Sequence, residues 1–302
     1  MLVHGSNIAQ KERHKRKYKD STSQAYLAEI RAKYDQWHQA NSELIGPKSK
    51  PEDSDKNMVT ERVKLLEEYK VFIDQQKYAE HFDSRSNLHS TVMEEFVYYL
   101  FRDLAADFDD KALIGKSRSF KDIFFAPANY KAMTTRPHAM IERKDHDFVI
   151  GVKIKAQLHT MSLGEANQET GEKTEYLEAE IHQFDLPAVV IECKTYLDKT
   201  MLEGASKAAE ELKARNPNAL YIVIMEWIKL SKAVNLRKYK VDQIYVFRKQ
   251  RNTDREFRFD PTYIKNPIDP ESVWHLFESV RRHLTTDWEN SLQHGLERGW
   301  LI

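Results

Sequence analysis

Glu192-Cys193-Lys194 closes an apolar run, Ala188-Val189-Val190-Ile191. A run that is apolar at every position suits a strand covered on both faces. Side chains alternate across a strand, so Glu192 and Lys194 share one face and Cys193 takes the other. A carboxylate and an ammonium together at a strand end can serve one reaction. The carboxylate ligates a hard cation such as Mg²⁺ through oxygen. The ammonium orients an attacking water or offsets charge building on a phosphate. Cys193, on the opposite face, reads as a small buried hydrophobe.

Spacing alone does not single out this triplet. Glu68-Tyr69-Lys70, Glu142-Arg143-Lys144 and Glu211-Leu212-Lys213 match it as well. Only Glu192 follows a buried apolar strand and precedes a helix. Glu68 and Glu211 fall in expected helices, where positions i and i+2 do not share a face. A metal site needs a second carboxylate. Asp147 opens the strand Asp147-Phe148-Val149-Ile150-Gly151, on the face away from Phe148, and Asp145 is an alternative of the same parity. A third carboxylate can come from the helix before the sheet. With successive residues turned by about 100°, Glu95 lies beside Leu88 and Tyr99, and Glu94 points further from that face. Glu95 is therefore expected to face the sheet and to hold a water beside the metal.

The elements that must position these residues follow from periodicity. Residues 22–40 read as a helix, 46–56 as a polar linker and 59–80 as a charged helix. Ser86 can cap a helix over 87–104 with Leu88, Val92, Phe96, Tyr99 and Leu100 on its apolar face. Residues 121–126 form a possible short strand. From Phe148 to Leu158 every even position is apolar, the period-2 signature of a strand. The acidic stretch 160–180 reads as an excursion or hairpin extension. After Glu192 come a helix over 199–215, a buried strand over 220–225, a strand over 243–248 and a helix opened by Asp269 and Pro270. The alternation predicts an α/β fold, with a central mixed sheet flanked by helices. Residues 1–57 are expected as a basic helical N-terminal segment and linker, and 58–302 as the catalytic domain.

Composition excludes several classes. The chain has 302 residues, 41% hydrophobic and 31% charged, with 47 basic and 47 acidic side chains. Zero net charge argues against a nonspecific nucleic-acid coat protein, although local fields can still bind DNA. A single cysteine excludes an intramolecular disulfide framework and a Cys-rich zinc site. No apolar run reaches the length of about 18 residues that a membrane span needs. The N-terminus lacks the apolar stretch of a secretory signal, so a cytoplasmic protein is expected. No Gly-rich phosphate loop is present, and no nucleotide cofactor is expected. His138, His146, His159 and His182 lack metal-ligand spacing. Three basic stretches could reach a duplex: Lys11 to Lys19, Lys229 to Lys240, and Arg248 to Arg258.

Asp147, the strand ending in Glu192-Cys193-Lys194, and the helix and strand after it resemble the PD-(D/E)XK nuclease superfamily. Leu88-His89-Ser90-Thr91-Val92-Met93-Glu94-Glu95-Phe96 and Lys144-Asp145-His146-Asp147-Phe148-Val149-Ile150-Gly151 resemble type II restriction endonucleases, and within them the DdeI/BbvCI-like group. The resemblance covers roughly residues 86–226. His146 stands where the motif's name puts a proline, which leaves the choice between Asp145 and Asp147 open. The resemblance implies Mg²⁺-dependent hydrolysis of phosphodiester bonds in double-stranded DNA at specific sites, leaving 5′-phosphate ends. Asp147, Glu192 and the backbone carbonyl of Cys193 would bind the metal, with Lys194 assisting the nucleophilic water. It further implies action as a homo- or heterodimer. A repair or junction nuclease on the same scaffold, and a catalytically inactive DNA-binding protein, are the rival readings.

Overall fold

The computed structural model describes residues 2–82, 88–163, 174–288, 296–297 and 299. Helices α1 (Val3–Glu12), α2 (Ser21–Glu43), α3 (Asp55–Ile73), α4 (Gln76–His81) and α5 (Thr91–Phe108) precede the sheet. Then come β1 (Leu113–Phe125), α6 (Tyr130–Thr135), β2 (Ala139–Leu163), β3 (Thr174–Leu197), α7 (Lys199–Lys213), β4 (Leu220–Ile228), β5 (Gln243–Arg251) and α8 (Pro270–Thr285). Short 3₁₀ turns occur at Leu236–Lys238 and Asn252–Phe257.

The five strands pair in the order β1-β2-β3-β4-β5. β1, β2 and β3 run antiparallel in succession, and β3, β4 and β5 run parallel. The sheet is therefore mixed, as the alternation of elements predicts. The apolar runs of β3 and β4 are buried because helices cover both faces. On one face, Phe148, Ile150, Val189, Ile191, Ile222 and Phe247 pack with α1, α2, α3, α5 and α8. On the other, Val149, Val190, Tyr221, Val223 and Met225 pack with Leu202, Ala205, Ala208, Ala209 and Leu212 of α7. Each large apolar side chain buried this way contributes about 1.5–3 kcal/mol. Ile8, Leu27, Ile30, Tyr34 and Trp37 of the N-terminal helices lie in the same cluster as Phe96 and Phe148.

Local chemistry sets the helix ends. Asp20, Asp198 and Asp269 accept hydrogen bonds from the backbone N–H groups of Ser23, Met201 and Ser272, which cap α2, α7 and α8. Pro270 occupies the first turn of α8 at no hydrogen-bonding cost.

Several boundaries differ from the sequence expectations. The helix expected over 59–80 is two, because Asp74 and Gln75 leave the helical conformation between α3 and α4. The helix expected from residue 87 starts at Thr91, and Ser86 lies outside the described residues. The short strand at 121–126 is the end of the much longer β1. Residues 3–12, outside any expected helix, form α1 because Ile8 and Ala9 are buried. The stretch 160–180 continues β2 and β3 as an antiparallel ribbon, with Met161 opposite Tyr176 and Leu163 opposite Thr174. Residues 164–173 of that stretch lie outside the described residues. Among the described residues no helix is long and apolar enough to cross a membrane.

Candidate active site

β2 and β3 bring the carboxylates together. Phe148 pairs with Ile191 and Val149 with Val190, a register that sets Asp147 level with Glu192. Residues opposite one another in an antiparallel pair share a face. Lys194 Nζ donates hydrogen bonds to Asp147 Oδ2 and Glu192 Oε2, each at 2.8 Å. The Cys193 backbone N–H donates to Asp147 Oδ2 at 3.0 Å. The Cys193 side chain lies in the core on the opposite face.

A bulge separates Asp147 from Asp145. β1 pairs Gly115 with Val149 and Ser117 with His146, so β2 advances three residues while β1 advances two. The extra residue reverses the side-chain alternation upstream of it. Asp145 consequently turns outward, 74% exposed, and pairs with Arg118 at 3.4 Å. His146 turns inward and is buried, its Nδ1 3.1 Å from Glu192 Oε1. A carboxylate only accepts, so this ring nitrogen carries the proton. The Tyr221 hydroxyl donates to the same Oε1 at 3.1 Å. Both oxygens of Glu192 are thus held.

The electrostatics are those of crowded carboxylates around one cation. Burial pushes Asp147 upward, Glu192 repels it further, and Lys194 only partly offsets the two. Burial acts on Glu192 as well, but the His146 hydrogen bond and the Lys194 charge outweigh it and hold Glu192 below the usual carboxylate range. Lys194 pays a desolvation cost, which Glu192 and Asp147 more than reverse, so its ammonium is stabilised.

Glu95 is not at this site. Its fully buried carboxylate accepts hydrogen bonds from the backbone N–H groups of His4 (2.8 Å) and Gly5 (3.2 Å) and from the hydroxyls of Tyr34 and Tyr99 (each 2.9 Å). The expected inward direction is correct, but α1 and α2 fill the space that Glu95 faces. Gly5 is needed for this contact, since an added Cβ would stand 2.3 Å from Tyr34 Oη. The neighbouring Glu94 comes under the field of Asp147 instead. Burial first, and Asp147 second, push Glu94 up to about 7, with Lys116 Nζ 3.5 Å away moderating the rise. The sequence signal for Glu94 was present in the pair Glu94-Glu95. Choosing between them required knowing that α1 exists.

His146 and Tyr221 were not expected as site residues. The bulge that aims His146 has no signature in the sequence, and Tyr221 reads as one more apolar position of β4. The third basic stretch is also partly redirected. Arg248 is fully buried between Glu226 (3.0 Å) and Glu67 (2.9 Å), so it cannot reach a duplex. Arg13, Lys15, Arg16 and Lys17 of the first stretch are exposed.

Comparison with protein families matches residues 85–301 to the Bpu10I restriction endonuclease model. The chain belongs to the Bpu10I restriction endonuclease family. The resemblance to type II restriction endonucleases is borne out by this match. A solved structure titled "native BbvCI A2B2 tetramer at low resolution" has the same fold, with a TM-score of 0.65 at 19% identity. The alignment covers 92% of this chain and 96% of that one, so the likeness extends over most of the chain. Comparison with curated protein sequences returns no match.

Proposed function

We propose that this restriction endonuclease cuts double-stranded DNA at specific sites, hydrolysing phosphodiester bonds with Mg²⁺ and leaving 5′-phosphate ends. The observation that carries the reading is Lys194 held at 2.8 Å from both Asp147 and Glu192. That is a cation seated between two strand-end carboxylates.

The residues suit a divalent ion. Asp147, Glu192 and Glu94 bring more negative charge to the strand ends than Lys194 neutralises, and this crowding adds to the burial that pushes Glu94 and Asp147 up. A bound cation would relieve that excess. Among the described residues no three His, Cys, Asp or Glu side chains form a ready cage. Mg²⁺ is commonly held by one or two carboxylates together with waters and substrate phosphate, so a partial cage suits it. Asp147, Glu192 and the Cys193 backbone carbonyl would hold the ion, with Glu94 near them. When bound, such an ion lowers the pKa of a water and stabilises the leaving oxygen.

The protein side of the reaction follows from the contacts. Lys194 keeps its proton and can donate it in a hydrogen bond to the attacking water or to the phosphate. The Cys193 N–H fixes the Asp147 carboxylate. His146 and Tyr221 fix the orientation of Glu192, which keeps the site organised before substrate arrives. One such site addresses one scissile phosphate, so cutting both strands calls for two. The A2B2 assembly named for the structural neighbour supports a dimeric reading, with an identical or a related second subunit.

The test is digestion of phage DNA with Mg²⁺, repeated with EDTA and with Glu192→Ala and Lys194→Ala. Discrete fragments lost in all three controls support the proposal. Undiminished cutting by the Lys194→Ala protein removes the proposed site.

A further inference from the structure

A cleft of about 450 Å³ opens at the end of β3, past Lys194 in the chain. Thr195 and Tyr196, the residues after Lys194 on β3, line it. A strand rises about 3.3 Å per residue, so Tyr196 stands about 7 Å past Lys194. That is the scale of one phosphate step along a nucleic-acid strand. Arg255, Arg258 and Phe259 line it as well.

The charges in this cleft do not balance internally. Glu226 is paired with Lys70 at 2.8 Å and with Arg248 at 3.0 Å. Asp74 is paired with Lys265 at 3.0 Å and Lys70 at 3.4 Å, and receives His89 at 3.1 Å. The acids are therefore satisfied by other cations. Arg255 and Arg258 also line the cleft, and among the described residues neither forms an ion pair with a carboxylate within 4.0 Å, Asp74 and Glu80 acting on Arg258 only at longer range. The 3₁₀ turn at Asn252–Phe257 explains why they sit together. Residues three apart eclipse in that geometry, and the Arg258 N–H closes the turn onto Arg255 O at 3.1 Å. Burial first, and the adjacent Arg255 second, push Arg258 downward, and the more distant Asp74 and Glu80 only partly offset them. Arg258 also lies over the Phe259 ring at 4.6 Å, which fixes its plane. Lys229 Nζ lies over the ring of Tyr196 at 5.2 Å and adds a further cation beside that lining residue.

We propose that Arg255 and Arg258 form a phosphate clamp for the DNA strand that enters the active site, seating the backbone next to the scissile phosphate. This inference rests on the reading of the chain as a DNA endonuclease. The clamp would contact phosphates only, so it would serve every sequence alike.

The test measures binding of a short mixed-sequence duplex, with Ca²⁺ in place of Mg²⁺, as salt is varied. The wild-type protein is compared with an Arg255→Gln/Arg258→Gln double variant and with Arg255→Lys/Arg258→Lys. Each phosphate contact contributes about 0.9 to the slope of log affinity against log salt, so the Gln pair should lower the slope by about 1.8. Affinity should fall on the order of 100-fold at about 50 mM salt. The Lys pair, which keeps the charges, should keep the slope. A Gln pair with wild-type slope and affinity overturns the clamp, as does a Lys pair that loses slope like the Gln pair. Cleavage by the wild-type protein is scored separately, on phage DNA with Mg²⁺. A wild type that binds the duplex but never cuts phage DNA counts against the endonuclease reading, and the clamp still stands or falls on the slope.

Discussion

Replacing Glu94 by glutamine should stabilise the metal-free protein at alkaline pH. Glu94 is pushed from an ordinary 4.5 to about 7, by burial first and Asp147 second. Its side chain is 8% exposed, so solvent screens the effect little. Below about pH 4.5 the carboxyl is protonated in both the folded and unfolded chains, and it contributes no difference. Between about 4.5 and 7 the unfolded chain loses the proton while the folded chain keeps it, so folding becomes progressively less favourable as pH rises. Above about 7 the penalty is complete. At 1.36 kcal/mol per pKa unit it amounts to about 3 kcal/mol. Glutamine stays neutral throughout and escapes it. For a chain of this size that corresponds to a melting point raised by about 6 °C. Thermal unfolding of wild type and Glu94→Gln in EDTA, from pH 4.5 to 8.5, reads this directly. The gain should be near zero at the acid end and full at the alkaline end. Added Mg²⁺ or Mn²⁺ should stabilise the wild type more than the variant. A variant less stable than wild type at pH 8, or a gain independent of pH, would refute the placement of Glu94 beside Asp147.

The adjacent Glu95→Gln change should do the opposite. It disturbs a carboxylate accepting four buried hydrogen bonds, two of them from α1, and should cost about 2–4 kcal/mol in urea denaturation. His146→Ala removes one of the two donors on Glu192 Oε1 and should lower stability by about 1–3 kcal/mol, with slower cleavage at unchanged DNA affinity by gel shift. Gly151→Ala would set a Cβ 2.2 Å from Leu186 O and 2.9 Å from Pro187 Cα, backbone atoms that cannot step aside. A loss of about 2 kcal/mol or more is expected, read as a lower urea midpoint.

Much of the site was legible before any coordinates. The buried run ahead of Glu192 and the alternation after Asp147 were strong enough to define β3 and β2, and antiparallel pairing then faces the two carboxylates. Two features were not legible. One is the bulge in β2 between the pairings of Gly115 and Ser117, which breaks the parity that made Asp145 and Asp147 equivalent. A bulge depends on how two strands register, and neither strand alone encodes it. The other is α1. Its sequence, VHGSNIAQKE, has a weak apolar face, and it is held by tertiary contacts: Ile8 in the core, and His4 and Gly5 on Glu95. Helical phase told correctly which side of α5 Glu95 faces. It could not tell that another helix, rather than the end of the sheet, lies there.

The proposed metal-dependent nuclease site is made of Asp147, Glu192 and Lys194. The most direct measurement compares Asp147→Asn with Asp145→Asn in cleavage of phage DNA with Mg²⁺. The two residues are two positions apart, and the bulge places only Asp147 within reach of Lys194. Asp147→Asn should lower the cleavage rate by at least about 100-fold, the scale of losing a principal stabilising group. Asp145→Asn should still yield the wild-type fragments within a few-fold of the wild-type rate. Equal rates for the two variants, or loss of cleavage only with Asp145→Asn, would contradict this assignment.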